Sequence, residues 1–296
     1  QKYFETENIN TLKNIKLYAD DIYYNTGESS GLSDDQYDML KEILRHRDPS
    51  YTAPIGAKLR EGTNRTELPY WLGSMDKVKL EDTKVLDRWL KKNKSSEYIV
   101  QEKMDGVSCL FVYENKDIKL FTRGDGIIGA DISYLAPYFF QTLNFDIEQT
   151  LVIRGELIIK KKIFEEMYAL ENSNPRNFVS GRIGAKIARE GLQEIDFIAY
   201  EIIANCSEQF KPSEQLEYLD ELGFKTVRRQ VVKKIDIDYL SSILVELKIQ
   251  SEYEIDGIII QSDKKYIRNI TGNPDYAFAF KMMTADDIVE AEVVGV

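Results

Sequence analysis

The chain has 296 residues, with 39 basic and 50 acidic side chains and a formal net charge of −11. At roughly 100–200 residues per domain there is room for two units, and a hydrophobic content of 43% supplies a sizeable core. These figures exclude wholesale disorder and nucleic-acid binding through global charge alone, while leaving room for a local basic groove. No apolar run reaches the roughly 18–20 residues that cross a bilayer, and the polar start QKYFETENIN is no signal peptide, so no membrane role is expected. The chain begins with Gln1, so a trimmed end is expected. Two cysteines, Cys109 and Cys206, leave no disulfide framework and no four-cysteine zinc site. Both read as buried thiols of a reducing, cytoplasmic compartment.

Along the chain, Ile9, Leu12, Ile15, Ala19 and Ile22 recur at helical spacing and predict an amphipathic helix. Residues 27–31 break it. A second helix is predicted from Ser33, which has capping-box spacing to Gln36, with Tyr37, Leu40 and Leu44 on one face and Asp48-Pro49 as the stop. Residues 54–69 read as a linker. A helix over 82–92 comes next. The runs YIVQEK, VSCLFVY and IKLFTR follow, separated by MDG and ENKD, and read as a β-meander. Further strands are predicted at 151–159, 197–203, 227–232, 255–261 and 276–282, with helices near 162–171, 213–222 and 236–248. Strands joined by tight turns, with helices at intervals, indicate an α+β fold with mostly antiparallel sheets and a small N-terminal helical module.

The chemistry-bearing residues cluster at strand ends. Lys103-Met104-Asp105-Gly106 follows the strand at 98–101, so Lys103 is rigidly held. A lysine is nucleophilic only when neutral, which needs desolvation or neighbouring cations. Taken alone, KxDG is a weak motif that reads first as an ordinary hairpin turn with an exposed lysine. Arg123-Gly124-Asp125-Gly126 closes the next strands and offers an arginine to a phosphate or ribose. Arg154-Gly155-Glu156 puts charges inside an apolar strand, which is costly unless they face a polar cleft. Glu156 suits a ribose hydroxyl or a metal. Asp256-Gly257 opens another apolar strand, and Lys281 lies in YAFAFKM, where a lone lysine implies an anionic partner.

In that order these motifs resemble the covalent nucleotidyltransferases: DNA ligases, RNA ligases and capping enzymes. Further matches make the chain similar to NAD-dependent DNA ligases over nearly its whole length. Leu72-Gly73-Ser74-Met75-Asp76 is similar to the segment before the nucleotide pocket. Residues 122–132 are similar to TRGDGxxGxDI, and Asn174-Pro175-Arg176-Asn177 to NPRN. The resemblance implies Lys103 as the nucleophile that takes AMP. Asp105, Glu156 and Asp256 would position ribose, metal or lysine, and Arg123 and Lys281 would neutralise phosphate. Ser74, Met75, Ile259 and Lys248 would line the nucleotide, with Gln101 at the adenine edge and Tyr200 stacked on it. Arg176 and Arg182 would contact phosphate or DNA. NAD, Mg²⁺ and nicked duplex DNA are the implied cofactors and partners. Tyr23, Tyr24, Asp34, Tyr37 and Asp38 resemble the module that holds the nicotinamide mononucleotide (NMN) half, where aromatics and carboxylates suit a cationic ring.

Departures from the pattern are few. Gln101 and Gln261 stand where the family has glutamate and lysine, Lys248 where it has arginine, and GRIGAKI follows NPRN where GSLRQLD is usual, with Arg182 or Lys186 as a substitute cation. They mark a divergent member and are compatible with a viral source. The expected organisation is an NMN module at 1–66, a nucleotidyltransferase domain at 67–286 and the start of an OB-fold at 287–296, acting as a monomer. Any zinc module would lie beyond. Such a fragment is expected to adenylate itself and hardly to seal nicks. The competing readings are an ATP-dependent DNA or RNA ligase domain, or a weakened NAD- or DNA-binding module.

Overall fold

The computed structural model describes residues 2–25, 31–32, 34–51, 64–140, 150–185, 188–204 and 209–282. Three helices come first: α1 (Lys2–Thr6), α2 (Ile9–Asn25) and α3 (Asp34–Arg47). As the periodicity requires, Leu12, Ala19 and Ile22 are buried on α2, and Leu12 packs with Phe4, Leu40 and Leu44 in a small core of their own. Ser33, the expected cap of α3, lies outside the described residues. The buried face of α2 also carries Lys16 and Asp20, paired at 2.5 Å.

Strand β1 (Arg65–Glu67) pairs antiparallel with β6 (Ile128–Ala130), so the end of the expected linker is a strand that crosses the boundary expected near 66. Then come β2 (Lys77–Val78), α4 (Thr83–Lys92), β3 (Tyr98–Met104), β4 (Val107–Glu114) and β5 (Asp117–Thr122). After β6 the chain forms α5 (Ala136–Phe139), β7 (Leu151–Ile159), α6 (Lys161–Met167), α7 (Pro175–Ile183) and β8 (Ile195–Ile202). It closes with α8 (Pro212–Glu221), β9 (Lys225–Thr226), β10 (Arg229–Val232), α9 (Ile237–Gln250), β11 (Ile255–Ser262) and β12 (Ala277–Phe280). The tail at 287–296, read as the start of an OB-fold, lies outside the described residues, as does Cys206; Cys109 is fully buried.

Two five-stranded sheets carry the main body, in the orders β10-β3-β11-β12-β2 and β5-β4-β7-β8-β9. All pairings are antiparallel except β12 with β2 and β8 with β9. This corrects the expected meander. β3 and β4 do not pair, because both edges of β3 are taken by β10 and β11, and those of β4 by β5 and β7. The MDG segment is therefore a crossover between sheets rather than a hairpin turn. It points the end of β3 into the gap where the sheets meet. Helix α7, absent from the sequence reading, starts at the NPRN motif.

The body is held by one large apolar core in which Phe111 packs edge-on against Phe140 and Phe224, at centroid distances of 4.9 and 5.3 Å. No described helix is long and apolar enough to cross a membrane.

Gly106 makes the crossover possible. A Cβ there would lie 2.3 Å from the Leu157 carbonyl oxygen and 2.9 Å from Glu156 Cγ, and a backbone oxygen cannot swing away. Gly106→Ala is expected to cost about 1–3 kcal/mol, as overpacking does, which lowers Tm by about 2–12 °C at roughly 2–4 °C per kcal/mol. Gly181→Ala, on α7 with nothing within 4 Å of the added Cβ, should leave Tm equal or raised. Paired thermal melts of the two variants check this.

Candidate active site

The site begins at a β-bulge. β3 and β11 pair regularly until Lys103 meets Gly257 and Met104 meets Ile255, which leaves Asp256 as the extra residue. A bulge re-aims the side chain it carries. Asp256 accepts from Lys103 Nζ at 2.6 Å on one oxygen and from Lys281 Nζ at 2.6 Å on the other. Lys281 lies one residue beyond β12, not inside a strand as read from YAFAFKM, and its backbone N–H bonds the Val78 carbonyl. Burial pushes the Asp256 carboxyl up, but the two ammonium groups outweigh it and hold the group well below the usual carboxylate range.

Above this trio opens a cleft of about 890 Å³. Its walls carry Arg123, Arg154 and Arg176 beside Lys103 and Lys281, a concentrated positive field within a chain of net charge −11. The motifs show why. In α7, Asn174 caps the helix by accepting from the Asn177 N–H at 2.7 Å, and Pro175 occupies its first turn. Asn177 is buried and donates to Ser173. That leaves Arg176 as the member of NPRN that reaches the cleft, bonded to Asp105 Oδ1 at 2.9 Å. Likewise Asp125 folds its own turn by accepting from the N–H groups of Ile127 and Ile128, and Gly124 sits at φ 53°. Arg123 is the cleft residue of that stretch.

Glu156, on β7, is buried beneath the cations. Burial pushes its carboxyl up to about 7, against the opposing pull of Arg176, Lys103, Arg154 and Arg123. Tyr200 donates to Glu156 at 3.3 Å and lies 3.0 Å from the Ser108 hydroxyl. Burial, partly offset by the Arg154 charge, pushes its phenol up to about 12. Ser74, Met75, Gln101 and Ile259 also line the cleft. Asp105 stands behind Arg176 rather than in the lining.

Two expected residues are not brought in. Lys248 sits in the last turn of α9, its carbonyl taken by Lys161 Nζ. Arg182 bonds the Glu190 carbonyl and lies over the Phe178 ring at 4.4 Å. Lys186 lies outside the described residues, as do the side chains of Tyr23, Tyr24, Asp34 and Asp38. Tyr37 lines the cleft from α3, donates to Asp20 and carries Lys41 Nζ 4.6 Å over its ring. Lys79 binds Glu42 at 2.7 Å and so ties α3 to the main body.

The sequence reading gave Arg154 no role of its own, although its charge inside an apolar strand pointed to a polar cleft, and the structure places it in the lining. Its guanidinium bonds the Gly73 carbonyl at 2.9 Å. Arg268, which bonds Glu201 at 2.7 Å, had no local signal.

The sequence profile of the NAD-dependent DNA ligase adenylation domain matches residues 73–285. The chain belongs to that family. A "DNA ligase" of Acanthamoeba polyphaga mimivirus is 40% identical over 281 residues, covering 92% of this chain and 43% of that protein. A "DNA ligase" of Acetivibrio thermocellus is 30% identical over 304 residues, covering 91% and 45%. The chain thus spans less than half the length of these relatives. An archaeal ATP-dependent RNA ligase aligns over 73% of this chain and 49% of that one, with a TM-score of 0.45 at 15% identity.

The raised Glu156 carboxyl gives a signed stability prediction. The native state favours its protonated form, so its contribution is full below the unfolded value of 4.5 and is lost as pH climbs to about 7. The whole span is roughly 3 kcal/mol at 1.36 kcal/mol per pKa unit. Glu156→Gln has no such titration. In metal-free buffer its stability relative to the parent should therefore rise between pH 5 and 7 and level off above, as followed by urea unfolding. A difference that stays flat across that window contradicts this account.

Proposed function

We propose that this chain performs the adenylation step of an NAD-dependent DNA ligase, with Lys103 as the nucleophile. The observation that carries the reading is Lys103 held by Asp256, beside a second lysine, at the floor of an arginine-lined cleft. In the proposed step Lys103 Nζ gives up a proton and attacks the α-phosphorus of NAD. The N–P bond forms, the bond to the bridging oxygen breaks, and NMN leaves with that oxygen.

Asp256 fixes the nucleophile's position, which is the entropic part of catalysis. Lys281, Arg123 and Arg154 neutralise charge on the phosphates as the leaving group departs. Tyr200 and Ile259 bracket the base, and Glu156 faces the ribose. The helical module covers the NMN half, with Tyr37 as its described aromatic and Tyr23, Tyr24, Asp34 and Asp38 as its further contacts.

Mg²⁺ belongs to the same proposal. Such an ion takes one or two carboxylates and completes its shell with phosphate oxygens and water. No group of three His, Cys, Asp or Glu among the described residues is arranged to hold a metal. The donor set fits an ion that arrives with the phosphates, with Glu156 as the candidate carboxylate and neutralised phosphate charge as what the ion supplies. The AMP then passes to a DNA 5′-phosphate, with Arg176 as the phosphate contact from the cleft.

Incubation with NAD or ATP labelled in the adenylate, followed by mass spectrometry of the protein, tests this. NAD should add one AMP with release of one NMN, and Lys103→Ala should abolish it. Label from ATP and not from NAD would favour an ATP-dependent ligase domain. Asp256→Asn keeps the shape but weakens the hold on both lysines. It should slow single-turnover adduct formation by at least about tenfold, on the scale of losing one oriented contact.

A further inference from the structure

Gln101 and Gln261 lie on neighbouring strands of the same sheet. Gln101 pairs with Ile259, and Gln261, two residues on, pairs with Ile99. The period of two along a strand puts Gln101, Ile259 and Gln261 on one face, and all three line the cleft. Lys103, two residues from Gln101, is on that face as well. Both glutamines are more than nine-tenths buried. The Gln261 Nε2 is buried and has no hydrogen-bond partner among the described residues. The Tyr266 hydroxyl lies beside the Gln261 side chain, and Tyr266 lines the same cleft. A buried donor without a partner costs about 1–3 kcal/mol, so this one is poised for a ligand.

Resting on the adenylation reading, the ligand group assigned to these amides is the purine, since Gln101 stands two residues, one strand repeat, from the nucleophile Lys103 on the same face. A side-chain amide presents one donor and one acceptor, and adenine offers the complementary pair through its amino group and a ring nitrogen. A 6-oxopurine offers the reverse pair, an acceptor at O6 and a donor at N1. An amide meets either by turning over, which a carboxylate or an ammonium cannot do. The Tyr266 hydroxyl donates or accepts equally well and follows the turn.

We propose that Gln101 and Gln261 form a reversible base-reading pair, so that the site accepts 6-oxopurine dinucleotides as well as NAD. With nicotinamide hypoxanthine dinucleotide, Lys103 Nζ forms a bond to the α-phosphorus, the bond to the bridging oxygen breaks, NMN leaves with the electron pair, and the amine proton goes to solvent. The product is lysine-linked inosine monophosphate.

Single-turnover labelling of the 296-residue chain with each dinucleotide, read by intact mass, tests this. The hypoxanthine compound should react at no less than one-tenth the rate of NAD. A lower ratio, with NAD still reacting, overturns the proposal and leaves the adenylation reading standing. No adduct from either compound overturns both. In the double variant Gln101→Glu/Gln261→Lys, donor and acceptor are fixed, and the ratio of hypoxanthine to adenine rates should fall at least tenfold. An unchanged ratio in a variant that still reacts with NAD overturns the assignment to these two residues. Should that variant not fold, the ratio measured on the parent chain decides.

Discussion

One carboxylate between two ammonium groups organises the site. Asp256 is the bulged residue of β11, and the bulge is what lets a single side chain reach Lys103 at the end of β3 and Lys281 beyond β12. Without that carboxylate two cations would face each other in a partly buried space, which is strongly unfavourable. The three strands that meet there are neighbours in one sheet, so the trio is also a clamp on the sheet's geometry. Every other element of the cleft is arranged around this fixed point. The crossover at Gly106 brings the second sheet, with Arg154 and Glu156, against it. Helix α7 aims Arg176 at it through Asp105, the residue two beyond Lys103.

The charge distribution follows from the same constraint. The chain is acidic overall, yet its cleft is lined by arginine and lysine. Glu156 illustrates the balance of forces. Four cations pull its carboxyl down, and burial still wins. The site therefore has positive charge to spare, which is the electrostatic preorganisation that a phosphate-rich substrate needs. The helical module joins the cleft through an ion pair, Lys79 with Glu42, and through the hydrogen-bonded set of buried Lys16 and Asp20 with half-buried Tyr37.

Much of the fold was legible in the chain. The stripe of Leu12, Ala19 and Ile22 and the run Leu151–Ile159 became a helix and a strand with close to the expected bounds, because periodicity reports burial directly. The β3–β4 meander was misread, because a short turn between two strands is silent about whether they pair. Partner choice depends on which strand edges are already filled. Helix α7 escaped notice because its nine residues carry Gly181 and little apolar periodicity. The site was legible through motifs, but their residues divide in function. Asn174, Asn177 and Asp125 build caps and turns, and Arg176 and Arg123 enter the cleft. Arg268 was invisible, since its partner Glu201 is 67 positions away. Lys248 was expected in the cleft from the resemblance and does not line it: it sits in the last turn of α9, with its carbonyl taken by Lys161 Nζ.

The sequence alone determined the family and singled out Lys103 as the proposed nucleophile, because the motifs that carry the resemblance are runs of neighbouring residues and so are local information. It also determined the absence of a four-cysteine zinc site and of an apolar span within these residues. Tertiary structure decided which side chains meet. It assigned Asp256 to both lysines, separated β3 from β4, brought Arg154 into the cleft and left Arg182 and Lys248 outside it. Those outcomes depend on edge pairing, a one-residue bulge and close backbone approach at Gly106, and each is a property of contacts between segments distant in the chain.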